Sequence, residues 1–332
     1  MTQTPVADRP LITFALFAYN QEKFIREAVA GAFSQTFEPL EIILSDDCST
    51  DRTFEIMQDM AATYKGPHRV RVRRNAINLG TLSHVLTVAS ESDGKFIVVG
   101  AGDDISLPRR AESLYKAWRQ SRASIILSNF SSVDEIGLVV KPVCEISKIH
   151  KDPYFGEATR RKRVFGAVAA YERALLAVAP LPISAILVED IIFELIAAAL
   201  GVGIFTVETV LVMHREHNDN ISQRDTSGFR RQNLRSREKM SSRKDFLYCE
   251  ALSYFLQAVA PKIECQLHEA GFEKRRFQAQ IALLRSRGLW WDATIATRLQ
   301  LVFTVRDSKF TRWAIPRLFG LEFFCCIRQL FS

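Results

Sequence analysis

The chain has 332 residues, of which 48% are hydrophobic and 24% are charged, a composition typical of a globular protein rather than a disordered or fibrous one. Its formal net charge of +7 is concentrated in residues 225–332, which contain 19 Lys and Arg against 10 Asp and Glu, whereas residues 1–224 contain 25 against 27. The longest uncharged apolar runs, such as residues 195–205, are shorter than the roughly 20 residues of a membrane-spanning helix, so we do not expect an integral membrane protein.

The cysteines and the N-terminal residues both indicate the cytoplasm as the location of the protein. The six cysteines include one adjacent pair, Cys325 and Cys326, and none shows the spacing of a metal site. We therefore expect reduced thiols. Because the first residues contain Asp8 and lack an apolar signal core, the predicted location is the cytoplasm.

Strand and helix patterns alternate over the first hundred residues. Short apolar runs predict strands, and apolar residues at helical spacing predict helices. Because the two alternate, we predict an α/β fold with a doubly wound, mostly parallel sheet flanked by helices. The strands are expected at residues 11–18, 40–44, 69–73 and 96–99, and the helices at residues 22–33, 52–64 and 81–90.

Polar side chains follow three of these strands, at residues 19–20, 46–51 and 103–104. In a parallel sheet the carboxyl ends of the strands lie along one edge, where open α/β folds bind ligands. Asp103 and Asp104 repel each other unless a cation or hydrogen-bond donors share their charge. Oxygen ligands of this type suit Mg²⁺ or Mn²⁺ held jointly with substrate phosphates, although an acidic turn before the next helix would have the same sequence.

The next hundred residues add a second acidic pair. Glu189 and Asp190 open an apolar helix that continues to residue 199, a position where carboxylates are also favoured by the helix dipole alone. Small residues at 165–171 would let a ligand approach the backbone closely. A dense set of donors and metal-ligand types follows at 213–222. Further strands are expected at 123–128, 133–140 and 202–212, and a helix after Pro108.

Six short motifs, in a fixed order over about residues 11–224, resemble the family 2 glycosyltransferases of the GT-A fold. Their order and spacing carry the resemblance, since any one motif would be weak. The sequence departs from the pattern of this family at two places. The acidic motif begins with Ala101 and Gly102 rather than with another aspartate, and His84 lies where many relatives have asparagine. The motifs are FAYN at 17–20, SDDCSTD at 45–51, NLG at 78–80, GDD at 102–104, ED at 189–190 and the segment from His214 to Ser222.

The resemblance implies a metal-dependent, inverting transfer of a sugar from a nucleoside-diphosphate donor, most simply a UDP-sugar, to a hydroxyl acceptor. By that resemblance Asp190 is the catalytic base, Asp104 and His217 are ligands of Mn²⁺ or Mg²⁺, and Asp47 hydrogen-bonds the nucleotide base. The acceptor would be a glycan or a lipid-linked glycan in cell-surface polysaccharide synthesis. The remaining nucleotide-binding residues implied by the resemblance are Phe17, Tyr19, Asn20, Asn78, Gly80 and Asp103.

Two other functions stay open. A sugar nucleotidyltransferase shares the sheet and the metal, but it would be expected to carry a Gly- and Arg-rich loop after the first strand, where this chain has FAYNQ at 17–21. A non-catalytic sugar-nucleotide-binding or scaffold protein would retain the fold without the reaction. Only activity separates that second alternative from an enzyme.

Residues 225–332 match none of these motifs and are expected to form a basic helical extension, separate from a glycosyltransferase domain at residues 1–224. Helices are predicted at 246–260, 262–270 and 274–287, and an amphipathic one after Pro316. This last helix either lies on the anionic inner face of the cytoplasmic membrane or packs on the protein's own core or on a second subunit in a homodimer. Nucleic acid is not expected as a partner, because the basic residues are dispersed.

Overall fold

The computed structural model describes residues 11–146, 149–151, 160–162, 164–183, 186–217, 245–288, 290, 293–294, 296–298, 300 and 314. These residues belong to two compact units. The first contains the described residues up to 217 together with Ala258–Phe272, and the second contains the other described residues from 245 on. The boundary predicted at residue 224 stays a prediction. The amphipathic helix predicted after Pro316 and the motif residues 218–222 lie outside the described residues.

The first unit is built on a nine-stranded mixed sheet, counted over the described residues, with the strand order β3-β2-β1-β4-β10-β6-β11-β5 and with β7 paired to β6. A separate hairpin pairs β8 with β9. The strands are β1 Ile12–Ala18, β2 Leu40–Asp46, β3 Arg69–Arg74, β4 Phe96–Ala101, β5 Ile105–Ser106, β6 Ile125–Val133, β7 Val139–Cys144, β8 Ile149–Lys151, β9 Arg160–Lys162, β10 Ala169–Glu172 and β11 Ile204–Arg215.

Helices flank this sheet. Nearly every residue of β1, β2 and β4 is buried, as expected of central strands that are covered on both faces. Side chains such as Phe14, Ile42 and Phe96 pack with the inner faces of the helices, and burying each contributes about 1.5–3 kcal/mol. The helices are α1 Ile25–Phe33, α2 Thr53–Thr63, α3 Thr81–Glu91, α4 Arg110–Ser121, α5 Arg173–Leu176 and α6 Asp190–Ala199.

The predicted α/β class is confirmed, but the sheet is less parallel than expected. Strands β3, β2, β1 and β4 are parallel, whereas β10 lies antiparallel between β4 and β6. The small residues Ala169 and Ala170 are fully buried there. A run of small residues has no period that identifies a strand, so the sequence indicated only a place of close approach.

The described residues from 245 to 288 are mostly helical, as predicted. Residues 245–254 form α7, which continues as a π-helical turn Phe255–Val259 and a 3₁₀ turn Ala260–Ile263. Helices α8 Glu264–Glu269 and α9 Lys274–Gly288 follow. Among the described helices, none combines the length and the apolar character that crossing a bilayer requires.

Candidate active site

The carboxyl ends of β1, β2 and β4 meet at one edge of the sheet. The amide of Asp47 donates to Ala18 O at 2.9 Å, and the amide of Gly102 donates to Phe17 O at 2.8 Å. The three polar clusters that follow these strands are therefore neighbours, as the predicted topology requires.

Asp47 organises the loop that follows β3. Its Oδ1 accepts hydrogen bonds from Asn75 Nδ2 at 2.7 Å and from the Leu79 amide at 2.9 Å, and its Oδ2 accepts one from the Gly80 amide at 3.0 Å. Gly80 has a φ of 75°, a conformation that a side chain would strain. The carboxylate thus fixes this loop, and its predicted contact with a nucleotide base would use the lone pairs that remain.

Asn20 ties the β1 loop to the β2 loop. Its amide donates to Ser49 Oγ at 2.9 Å, and its Oδ1 accepts from the Thr50 amide at 2.8 Å. Its backbone is left-handed, with a φ of 53°, which asparagine tolerates better than most residues. The observed contacts of Asn20 are structural, and a direct contact with nucleotide stays a prediction.

Three other predicted nucleotide-binding residues lie near these strand ends. Tyr19, which follows β1, is 45% exposed. Asn78 is exposed in the loop after β3, and its Oδ1 accepts a hydrogen bond from the Gly80 amide. The ring of Phe17 meets the ring of His84 edge-on at 4.9 Å between centroids. Their positions are compatible with a donor site, and their roles in it are untested.

His84 is buried behind Asp47. Its Nε2 lies 2.5 Å from Ser45 Oγ, which also accepts a hydrogen bond from Arg73 Nη1 at 2.7 Å. Burial, reinforced by the charge of Arg73, lowers the pKa of His84 to about 4, although Asp47 opposes the shift. The imidazole is therefore neutral at pH 7 and adds no positive charge beside Asp47.

The acidic pair is held by two histidines of the last strand and its extension. Asp104 is buried, and its two oxygens lie 3.0 and 3.1 Å from His214 Nδ1, while Oδ1 also accepts from the Arg215 amide at 2.8 Å. Asp103 Oδ2 lies 3.0 Å from His217 Nε2. Burial opposes a charged His214, but the Asp104 carboxylate outweighs it and raises the pKa of His214.

The sequence paired His217 with Asp104 as metal ligands, whereas the structure places His217 against Asp103. Within the described residues, no three His, Cys, Asp or Glu side chains cluster closely enough to hold an ion by themselves. Mg²⁺ and Mn²⁺ in nucleotide-sugar sites need only one or two carboxylates, because substrate phosphates complete the shell. Asp103, Asp104 and His217 fit a site of this kind, in which the protein supplies only some of the metal ligands.

Glu189 and Asp190 begin helix α6, as predicted. Burial, together with the charge of Asp190, raises the pKa of Glu189 to about 8. Two adjacent buried carboxyl groups disfavour ionisation of both, so Glu189 retains its proton at pH 7. The Glu189 carboxyl packs so closely on Gly166 that a Cβ there would lie 2.3 Å from Oε1.

Two contacts connect α6 with the rest of the edge. Ile186 O, just before α6, accepts a hydrogen bond from the Leu82 amide at 3.0 Å, next to the loop that Asp47 holds. The ring of Phe165 lies 5.2 Å from that of His214, and the following Gly166 contacts Glu189. The second acidic pair therefore lies at the same edge as the other motifs.

The sequence interpretation missed His214 and Arg215 as site residues. Arg215 is fully buried, and its Nε donates to Asp103 O at 3.1 Å, its Nη1 to Glu135 O at 2.7 Å and its Nη2 to Glu27 Oε2 at 2.9 Å. The signal was present, because two histidines flank an arginine at the end of an apolar strand, but spacing alone does not say which carboxylate each one meets.

The raised pKa of Glu189 predicts a pH dependence of stability. The unfolded chain releases the Glu189 proton near pH 4.5 and the folded chain near pH 8, so the free energy of unfolding falls as the pH rises through this window. The variant Glu189→Gln stays neutral and escapes this loss. Its free energy of unfolding relative to the unmodified protein should rise by about 1 kcal/mol or more from pH 5 to pH 8, measured by urea denaturation. A difference that does not change with pH would contradict the assignment.

Comparisons with known proteins agree with this geometry. Residues 13–176 match the sequence model of "Glycosyl transferase family 2". The chain is 35% identical over 106 residues to the Bacillus subtilis protein EpsE, a match covering 31% of this chain and 36% of EpsE. It is 31% identical over 125 residues to the glycosyltransferase GlyG of Streptococcus pneumoniae, covering 38% and 40%. The matched segments thus span well under half of these relatives.

Solved structures show the same fold at low identity. Residues 1–349 of TarS from Staphylococcus aureus, in complex with UDP-GlcNAc, align with a TM-score of 0.54 at 14% identity, covering 96% of this chain and 91% of that one. The mannosyltransferase PcManGT from Pyrobaculum calidifontis, in complex with GDP-Man and Mn²⁺, aligns with a TM-score of 0.50 at 14% identity, covering 98% and 88%. With this GT-A-like fold and the family match over residues 13–176, that segment of the chain belongs to glycosyl transferase family 2.

Proposed function

We propose that the chain is an inverting glycosyltransferase that moves a sugar from a nucleoside-diphosphate donor to a hydroxyl acceptor. The observation that carries this proposal is the assembly of Asp47, the Asp103–Asp104 pair and Asp190 along one edge of the sheet. Support comes from neighbours of the same fold whose structures contain UDP, UDP-GlcNAc or GDP-Man. A UDP-sugar is the donor we propose first.

The donor half of the site has two parts. Asp47 carries its negative charge beside the loop that it fixes, where it can accept a hydrogen bond from an N–H of the nucleotide base. Asp103, Asp104 and His217 would hold Mn²⁺ or Mg²⁺ against the donor diphosphate. When bound, the cation stabilises the negative charge of the leaving nucleoside diphosphate.

The acceptor half is the segment that begins α6. Asp190, next to the protonated Glu189, accepts the hydrogen of the acceptor hydroxyl as its oxygen attacks the anomeric carbon of the sugar. A bond forms between that oxygen and the anomeric carbon, and the bond from the anomeric carbon to the diphosphate breaks. One displacement of this kind inverts the anomeric configuration.

We further propose a glycan or a lipid-linked glycan as the acceptor, in cell-surface polysaccharide synthesis. The support is compositional, since the excess of Lys and Arg in residues 225–332 suits attraction to an anionic membrane surface. A homodimer through the C-terminal helices is the alternative use of that region.

The test of the proposed function is release of nucleoside diphosphate from a panel of UDP-, GDP- and dTDP-sugars with Mn²⁺. Release from at least one donor by the unmodified protein, and its loss in Asp190→Asn, is expected. Nucleotide binding without any release would instead favour the non-catalytic alternative.

A further inference from the structure

Arg110 is a fully buried arginine at the start of α4. No carboxylate lies within ion-pair distance of its guanidinium in the described part of the chain, and its Nε has no hydrogen-bond partner there. Burying an arginine without a paired carboxylate is costly. Packing alone therefore does not explain why an arginine is buried at this position.

Arg110 donates hydrogen bonds to both ends of the segment that contains Asp103 and Asp104. Its Nη2 donates to Val99 O at 2.6 Å, before Asp103 and Asp104, and its Nη1 donates to Ser106 Oγ at 2.8 Å, after them. Val99 belongs to β4 and Ser106 to β5, so one planar group sets the distance between the two strands. That distance defines the turn on which the acidic pair lies.

A third hydrogen bond reaches the other half of the site. Nη2 also donates to Ala167 O at 3.0 Å, in the 3₁₀ turn Gly166–Val168. Gly166, the preceding residue, is the one against which the Glu189 carboxyl packs. A single guanidinium thus touches the acidic segment and the turn that supports Glu189 and Asp190.

The charge of Arg110 is retained despite its burial. Burial lowers the pKa of Arg110 to about 10, so the guanidinium remains cationic at pH 7 and all its N–H groups stay available as donors.

We propose that Arg110 is a positioning residue that holds the acidic pair in register with the start of α6. This inference rests on the proposed function for its catalytic consequence. Its structural consequence does not, because the hydrogen bonds of Arg110 are present in the protein without ligands.

The catalytic consequence is tested with Arg110→Lys. Lysine keeps the charge but lacks the planar fork that reaches three acceptors at once. We expect kcat for nucleoside-diphosphate release to fall at least about tenfold more than the affinity for UDP in Mn²⁺ does, because UDP binding uses the donor half alone whereas transfer needs both halves aligned. The matched control Arg119→Lys, exposed in the last turn of the same helix, should leave both unchanged.

The structural consequence is tested by a double-mutant cycle in metal-free protein, using Arg110→Lys, Ser106→Ala and the double variant in urea denaturation. We expect the double variant to unfold with an equilibrium constant at least about threefold smaller than the product of the two single effects predicts, because both substitutions break the same hydrogen bond. Additive effects, or an Arg110→Lys variant with unchanged kcat, would overturn the proposal. If the unmodified protein bound no nucleotide and released none, the proposed function would fail instead, and the cycle would still decide the structural part.

Discussion

The variant Asp190→Asn is expected to lose transfer activity by about 10²–10⁴-fold in kcat, because it removes the carboxylate that we propose as the catalytic base. Asparagine keeps the size of the side chain and can still accept the hydrogen bond from the Ile191 amide, so the fold should be retained. The measurement is the rate of nucleoside-diphosphate release with saturating donor and acceptor. The Kd for UDP should stay within about threefold, since we place Asp190 in the proposed acceptor half of the site.

Asp59→Asn is a matched control for this prediction. Asp59 is exposed on helix α2, away from the strand ends, so its substitution should leave kcat unchanged. If Asp190→Asn were as active as this control, Asp190 would not be the base. If it lost donor binding together with activity, Asp190 would belong to the donor half.

The second large effect is expected on stability, from Arg215→Met. Methionine fills part of the volume but removes the part-buried hydrogen bonds to the carbonyls of Asp103 and Glu135. Hydrogen bonds that involve a charged group contribute about 1.5–3 kcal/mol each, so the free energy of unfolding should fall by about 3 kcal/mol. The loss should be visible in urea denaturation and as weaker UDP binding in Mn²⁺, because the acidic pair loses its support.

Arg52→Met provides the comparison for a surface arginine. Arg52 forms an exposed pair with Glu55 at 3.2 Å, and pairs of that type contribute about 0–1 kcal/mol. A loss in Arg215→Met no larger than the loss in Arg52→Met would show that the buried guanidinium does not hold these loops together.

Much of the first unit could be predicted from its sequence because local pattern and tertiary environment agree there. The apolar runs that become β1, β2 and β4 are buried on both faces, and each is followed by polar residues that end it. The helices α1, α2 and α3 show apolar residues on one face. In these segments the hydrophobic pattern of the sequence and the observed burial indicate the same secondary structure.

The remaining features depend on contacts between distant segments. The strand β10 begins with two alanines and shows no alternation of apolar and polar residues. It forms a strand because it pairs with β4 on one side and β6 on the other. Arginines usually lie at the surface, so nothing local marks Arg110 and Arg215 as buried. The order of motifs singled out Asp47, Asp104 and Asp190 as candidates, but the pairing of His214 with Asp104 and of His217 with Asp103 required the structure.

The most direct test of the central claim, that the strand ends form a nucleoside-diphosphate site with a divalent cation, is calorimetric titration of UDP into the protein with Mn²⁺ and then with EDTA, repeated with Asp104→Ala. We predict binding in Mn²⁺ that EDTA and Asp104→Ala each weaken at least about tenfold. Binding that is insensitive to both the metal and the substitution would contradict the metal assignment. Absence of binding for UDP, GDP and dTDP alike would contradict the donor site itself.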